Sequence, residues 1–131
     1  MFDHIGIFVS DVARSFPFFE KSLAPLGIVV RERQPNWGSI VMSSEQWPPF
    51  LWIGPAGGNF HGTEVKISDR RPLHLAFKAQ SMSAVDDFYR IGLENGGKDN
   101  GAPAFCGKGV YGAYLLDPDG NNVEAIYREP S

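Results

Sequence analysis

The chain of 131 residues contains one cysteine, Cys106, and lacks any apolar run approaching the ~20 residues of a membrane span. One cysteine cannot form an internal disulfide and is typical of a reducing compartment. Positive charge is also scarce, because 15 acidic residues outnumber 12 Lys and Arg and leave a net charge of −3. We therefore expect a cytoplasmic protein that binds neither nucleic acid nor membranes.

The sequence contains an internal repeat. Residues 4–27 align without a gap with residues 74–97, and the aligned pairs include His4 with His74, Phe19 with Tyr89 and Gly27 with Gly97. A repeat of this length indicates a structural unit that is present twice. We expect one domain, 1–131, made of modules at about 1–56 and 71–131 that are joined by a linker at about 57–70.

Each module is predicted to contain one strand, one helix and three further strands. Alternating apolar residues predict first strands at 3–9 and 72–79, and apolar stripes at helical spacing follow both. Asp11 or Ser10 is expected to cap the first helix, and Ser83 to open the second. Further strands are expected near 28–33, 37–43, 49–54, 102–106, 110–117 and 122–128. The pattern predicts an α+β fold of two βαβββ modules in tandem.

Two histidines and one glutamate are the candidate metal ligands. In the first strands, His4 and His74 alternate with apolar residues that point to the helices, so the histidines face the other side. Gly6 and Ala76 follow two positions later and would leave room for an ion. Glu124 stands in the otherwise apolar last strand. Two imidazoles and one carboxylate suit Fe(II), Mn(II), Ni(II), Co(II) or Zn(II), and leave coordination positions for a substrate.

The glutamate has no equivalent in the first module. Its aligned residue is Phe50, with Leu51 and Trp52 within one or two positions, and none of these side chains can bind a metal. Other interpretations stay open, because a strand histidine is commonly a hydrogen-bonded core residue and Glu124 could be a solubilising edge charge. Cys106 is expected to be a buried apolar residue rather than a nucleophile.

Aromatic side chains are the candidate lining of a substrate pocket. They come from both the strands and the linker of the first half: Phe8, Trp37, Phe50, Trp52 and Phe60. An aromatic pocket of modest size suits a small organic molecule.

Five motifs together resemble the glyoxalase/bleomycin-resistance/extradiol dioxygenase superfamily, also called vicinal oxygen chelate proteins. They are Asp-His-Ile-Gly-Ile at 3–7, Val-Ser-Asp at 9–11, Leu-His-Leu-Ala-Phe at 73–77, Asp-Pro-Asp-Gly-Asn at 117–121 and Val-Glu at 123–124. The resemblance implies curled mixed sheets that form a cup around a divalent metal ion. It also implies that His4, His74 and Glu124 are the ligands and that the protein is a homodimer.

The resemblance implies a metal-dependent enzyme that chelates a small organic substrate through adjacent oxygens for lyase, isomerase or transferase chemistry. Glyoxalase I-type enzymes are similar but use a fourth protein ligand, where this chain has Phe50 or Trp52. Two alternatives stay open: an Fe(II) ring-cleaving dioxygenase of the extradiol type, and a non-catalytic protein that binds an antibiotic or another small molecule. The site would form within one chain or across a swapped dimer.

Overall fold

The computed structural model describes residues 1–57, 59–60, 63–64 and 72–131. The first sheet has the order β1-β4-β3-β2 and comprises β1 (His4–Val9), β2 (Val29–Gln34), β3 (Ser39–Ser43) and β4 (Phe50–Pro55). Two short strands, β5 (Asn59–Phe60) and β6 (Thr63–Glu64), pair with each other inside the predicted linker. The second sheet has the order β7-β10-β9-β8 and comprises β7 (His74–Lys78), β8 (Lys98–Gly107), β9 (Val110–Leu116) and β10 (Asn122–Arg128).

Both sheets are mixed, because β1 is parallel to β4 and β7 is parallel to β10, whereas the other pairs are antiparallel. This arrangement confirms the α+β class and the two tandem βαβββ modules. Much of the predicted linker lies outside the described residues, so the module boundaries stay predictions. Among the described residues, no helix is long and apolar enough to cross a membrane.

The first helix, α1 (Val12–Leu23), begins at the predicted cap. The Asp11 carboxylate accepts a hydrogen bond from the Ala13 N–H at 3.0 Å, which satisfies one of the free donors of the first turn. Pro17 lies inside the helix rather than in its first turn. A 3₁₀ turn follows, and Gly27 ends it with a left-handed φ of 79° that favours glycine.

The second helix, α2 (Met82–Glu94), begins two residues before the predicted start. Its cap is Ser81, whose hydroxyl accepts from the Ala84 N–H at 3.0 Å, so the assignment of Ser83 as the opening residue is wrong. A Cβ on Gly92 would clash with the Leu115 side chain of β9. The absence of a side chain at Gly92 therefore lets α2 pack closely against the second sheet.

One apolar core joins both modules. It contains residues of both helices and both sheets, including the fully buried Phe18 and Leu23 of α1, Phe88 of α2, Ile53 of β4 and Leu115 of β9. Because the helices and the inner faces of the sheets share this core, the faces that carry His4 and His74 point away from it.

The Asp-Pro-Asp-Gly-Asn segment forms the predicted tight turn between β9 and β10. Asp117 Oδ1 accepts from the Asn121 N–H at 2.7 Å, and Asn121 Oδ1 accepts from the Leu73 N–H at 2.9 Å. Asp119 accepts hydrogen bonds from the backbone N–H of Ser10, at 2.9 Å, and from its hydroxyl. The turn therefore connects the end of β1 to the start of β7 and holds the residue that precedes His74.

Candidate functional site

His74 and Glu124 lie side by side on the second sheet. His74 Nε2 is 3.2 Å from Glu124 Oε2. Glu124 is only 5% exposed, whereas about half of the His74 side chain, 51%, is accessible. The neighbours Val123 and Ala125 are buried in the core, so strand alternation places the Glu124 carboxylate on the opposite face. The pair therefore combines a buried carboxylate with an imidazole at the rim.

Tyr114 and Gly112 of β9 lie beside the Glu124 carboxylate. Tyr114 is paired with Glu124 in the antiparallel register. Burial, followed by the interaction of the phenol with the Glu124 carboxylate, raises the pKa of Tyr114, so the phenol keeps its proton. A Cβ on Gly112 would lie 3.4 Å from Glu124 Oε1, which is a tight contact. The missing side chain gives the carboxylate its space.

His4 lies on the corresponding face of the first sheet, with 52% of its side chain exposed. Its Nδ1 is 2.7 Å from Asp3 Oδ1, and its ring stacks on Phe50 with centroids 4.7 Å apart and an interplanar angle of 8°. A proton on Nδ1, donated to Asp3, leaves the Nε2 lone pair available. This is the tautomer and the second-shell carboxylate typical of a metal-binding histidine.

One chain brings together two of the three predicted ligands. His74 and Glu124 are adjacent, but nowhere in the described part of the chain do three or more His, Cys, Asp or Glu residues form a group able to hold a metal ion. His4 stands in the other sheet. The distance within the pair suits metal binding, since two donors about 2.1 Å from one ion, at a right angle, are about 3 Å apart. The spacing of these two donors is therefore compatible with a divalent ion, and the role of His4 as a ligand stays a prediction.

Strand register corrects the identity of the residue equivalent to Glu124. His4 pairs with Phe50 in β1–β4, and His74 pairs with Asn122 in β7–β10. Phe50 is therefore equivalent to Asn122, and the assignment of Phe50 to the Glu124 position is wrong. Trp52 occupies that position. The offset between equivalent residues is 70 at the histidines (74 − 4) and 72 in the last strands (124 − 52), whereas aligning Glu124 with Phe50 requires an offset of 74.

The Trp52 indole fills the space that a fourth ligand would occupy. Its Nε1 donates to Gln34 Oε1 at 3.0 Å, and the side chain is 6% exposed. A Cβ on Gly54 would clash with the ring, and one on Gly6 would lie 3.6 Å from it. The indole therefore lies beside Gly6 at ordinary contact distance, and the expectation that Gly6 leaves room for an ion stays a prediction.

The predicted aromatic residues whose side chains are described lie on one face of the first sheet. Phe8 and Trp37 make edge contacts with Trp52, with ring centroids 5.3 Å and 6.5 Å apart. Phe50 stacks between His4 and Trp47, and the Trp47 ring is 4.5 Å away at 7°. The Phe60 backbone is in β5, but its side chain lies outside the described residues.

Sequence reasoning missed Trp47 and misplaced Cys106. Trp47 precedes the fourth strand in a Trp-Pro-Pro-Phe segment. Its aromatic character was the one sequence feature that could have indicated a place in the pocket. Cys106 is exposed, so the expectation of a buried thiol is wrong. Its Sγ lies 3.7 Å from the Val110 carbonyl oxygen, near the rim of the second sheet.

Comparisons with known proteins place the chain in a family. The model for the Glyoxalase/Bleomycin resistance protein/Dioxygenase superfamily matches residues 1–125. A glyoxalase/bleomycin resistance protein from Albidiferax ferrireducens T118 is 29% identical, with a TM-score of 0.72 over 97% of this chain and 98% of that one. No curated protein sequence gives a match. The chain therefore belongs to the glyoxalase/bleomycin resistance protein/dioxygenase superfamily.

Two more distant structures share the fold. A glyoxalase-related enzyme from Fulvimarina pelagi is 18% identical, with a TM-score of 0.76 over 98% of this chain and 88% of that one. A lactoylglutathione lyase from Agrobacterium tumefaciens is 16% identical, with a TM-score of 0.66 over 97% and 92% of the two chains. At these identities the likeness concerns the fold.

Proposed function

We propose that the protein is a metal-dependent enzyme that chelates a small organic substrate through adjacent oxygens for lyase, isomerase or transferase chemistry. The observation that carries this proposal is the 3.2 Å approach of His74 Nε2 to the buried Glu124 carboxylate. His4 completes the ligand set. Two imidazoles and one carboxylate suit Fe(II), Mn(II), Ni(II), Co(II) or Zn(II) and leave positions open.

The proposed site takes His4 from a second copy of the chain. Within one chain the helices and inner sheet faces share a core, so the half-exposed His4 and His74 both face outward. In a symmetric homodimer, the first sheet of each subunit would meet the second sheet of its partner. Each of two equivalent sites would then contain His74 and Glu124 of one subunit and His4 of the partner subunit.

The side chains around the ligands have supporting roles in this proposal. A bound divalent ion would supply Lewis-acid polarisation of substrate oxygens. Asp3 fixes the tautomer of His4, and Tyr114 orients the Glu124 carboxylate. Trp52 replaces a fourth ligand by an apolar wall, which leaves that coordination position to the substrate and excludes water from one side.

Metal content tests the proposal. Gently purified protein is expected to contain about one first-row metal ion per chain, and His74→Ala and Glu124→Gln each to lose it. Glu94→Gln is the matched control, because Glu94 is an exposed residue of α2 that forms an ion pair with Arg90. The proposal fails if the wild-type protein binds none of the five metals, or if both ligand variants keep it.

A second candidate is a non-catalytic protein that binds a flat antibiotic or another small molecule without metal. The aromatic face formed by Phe8, Trp37, Phe50 and Trp52 favours it. A ring-cleaving Fe(II) dioxygenase would use the same three ligands, and oxygen uptake with catechol and Fe(II) distinguishes it. We also place the protein in the cytoplasm, since the exposed thiol of Cys106 suits a reducing compartment.

A further inference from the structure

A cavity lies on the first sheet, beside β2, the end of β3 and the segment that follows β3. It has a volume of about 380 Å³ and is lined by Arg31, Glu32, Ser43, Ser44, Glu45 and Trp47. This is within the usual range of small-molecule pockets, roughly 300–1,000 Å³. We propose that this cavity, the Trp47 pocket, binds a flat aromatic ring that carries both a carboxylate and an amine, as in an aromatic α-amino acid.

The ring would stack on Trp47. The rings of Trp47, Phe50 and His4 form a parallel series, with centroids 4.5 Å and 4.7 Å apart and interplanar angles of 7° and 8°. Phe50 supports one side of the indole, while 52% of Trp47 remains exposed. An indole that is already fixed by its neighbour loses little freedom when a further ring stacks on it. Trp47 therefore provides a preorganised end to the series.

The guanidinium of Arg31 would bind the carboxylate. Its Nε donates to Ser43 Oγ at 3.3 Å, and Ser43 Oγ donates to the Ser44 carbonyl oxygen at 2.9 Å. Neither Glu32 nor Glu45 forms an ion pair with Arg31 in the part of the chain that the structure describes. The two terminal nitrogens of the Arg31 guanidinium are therefore available to donate a pair of parallel hydrogen bonds, which matches the two oxygens of a carboxylate.

Glu32 and Glu45 would bind the amine. Together with Arg31 they place charges of both signs around one cavity, with two carboxylates and one guanidinium. A purely anionic ligand would meet repulsion from the glutamates, and a purely cationic ligand would meet it from Arg31. A zwitterion with a flat ring satisfies both charges and the Trp47 surface.

The Trp47 pocket needs no metal ion, so it is tested on protein stripped of metal. Isothermal titration calorimetry would compare L-tryptophan with tryptamine, which lacks the carboxylate, and indole-3-propionate, which lacks the amine. L-Tryptophan is expected to bind about tenfold more tightly than either analogue. Failure of the metal proposal would leave this result unchanged, so the two proposals can fail separately.

Three variants assign the binding to the pocket. Trp47→Leu and Arg31→Gln are expected to weaken L-tryptophan binding about tenfold or more. Arg33→Gln is the matched control, because Arg33 lies on the same strand but pairs with Glu20 of α1. Circular dichroism would verify that each variant is folded. Absence of saturable binding, equal affinity for all three probes, or unchanged binding by folded Trp47→Leu would overturn the proposal.

Discussion

The proposed sharing of ligands between subunits predicts how mixtures of two metal-free variants behave. His4→Ala removes the first-sheet ligand, and His74→Ala removes a second-sheet ligand. In the proposed dimer, every site of either pure variant lacks one imidazole. A mixed dimer differs, because the intact first sheet of one subunit meets the intact second sheet of the other. One of its two sites is then complete, and the other lacks both histidines.

The size of the recovery follows from this symmetry. Equal amounts of the two variants, exchanged at random, give mixed dimers as half of the population, so about a quarter of all sites recover. The assay is metal bound per chain after equilibrium dialysis against limiting Mn(II) or Zn(II). Each pure variant should bind almost none, and the mixture about a quarter of the wild-type amount.

A second mixture controls this experiment. His74→Ala and Glu124→Ala both alter the second sheet, whose two ligands are 3.2 Å apart in one chain. No exchange between these variants can create an intact site, so their mixture should recover nothing. A first mixture that stays at the level of the pure variants, although mass spectrometry detects mixed dimers, would refute the shared site.

Three further substitutions test individual contacts. Tyr114→Phe removes the hydroxyl that interacts with the Glu124 carboxylate and should weaken metal affinity about tenfold, measured by competition with a chelating dye. Gly54→Ala forces a Cβ against the Trp52 ring and should lower the free energy of unfolding by about 1–3 kcal/mol in urea titrations. Burial raises the pKa of Asp117 above its ordinary 3.8, so ionisation costs native stability. The stability of the wild type relative to Asp117→Asn should therefore be greatest below pH 3.8 and fall as the pH rises through the raised pKa.

A specific result would contradict each of these three predictions. Unchanged metal affinity in Tyr114→Phe would remove the phenol from the support of the site. Gly107→Ala is the control for Gly54→Ala, because its Cβ would make only ordinary contacts with Val110. If both variants lower the free energy of unfolding equally, the clash with the Trp52 ring is not the cause. If the stability of the wild type relative to Asp117→Asn does not change with pH, or increases as the pH rises, then burial does not raise the pKa of Asp117.

The fold could be predicted because the same strand and helix pattern occurs twice in the sequence. Apolar alternation in the first strands and the Asp11 cap are local signals, and the structure follows them. The second helix is capped by Ser81 rather than by Ser83, since both serines precede the same apolar stripe and only the structure shows which one caps it.

The candidate site was less accessible to sequence reasoning, because it depends on register and contacts across strands. The equivalence of Trp52 with Glu124 follows from pairing partners, which a change of offset between the copies obscures. The pairing of Tyr114 with Glu124 and the stacking of Trp47 on Phe50 join residues on different strands or loops. Metal binding by His4, His74 and Glu124 stays a prediction.

Anomalous diffraction at the metal absorption edge, from crystals grown with Mn(II), tests the proposed centre most directly. We expect one peak per chain, within coordination distance of His74 Nε2 and the Glu124 carboxylate, with His4 of the partner subunit as the third protein ligand. A peak bound only by residues other than these three, or no peak in crystals that contain Mn(II), would contradict the proposed metal centre.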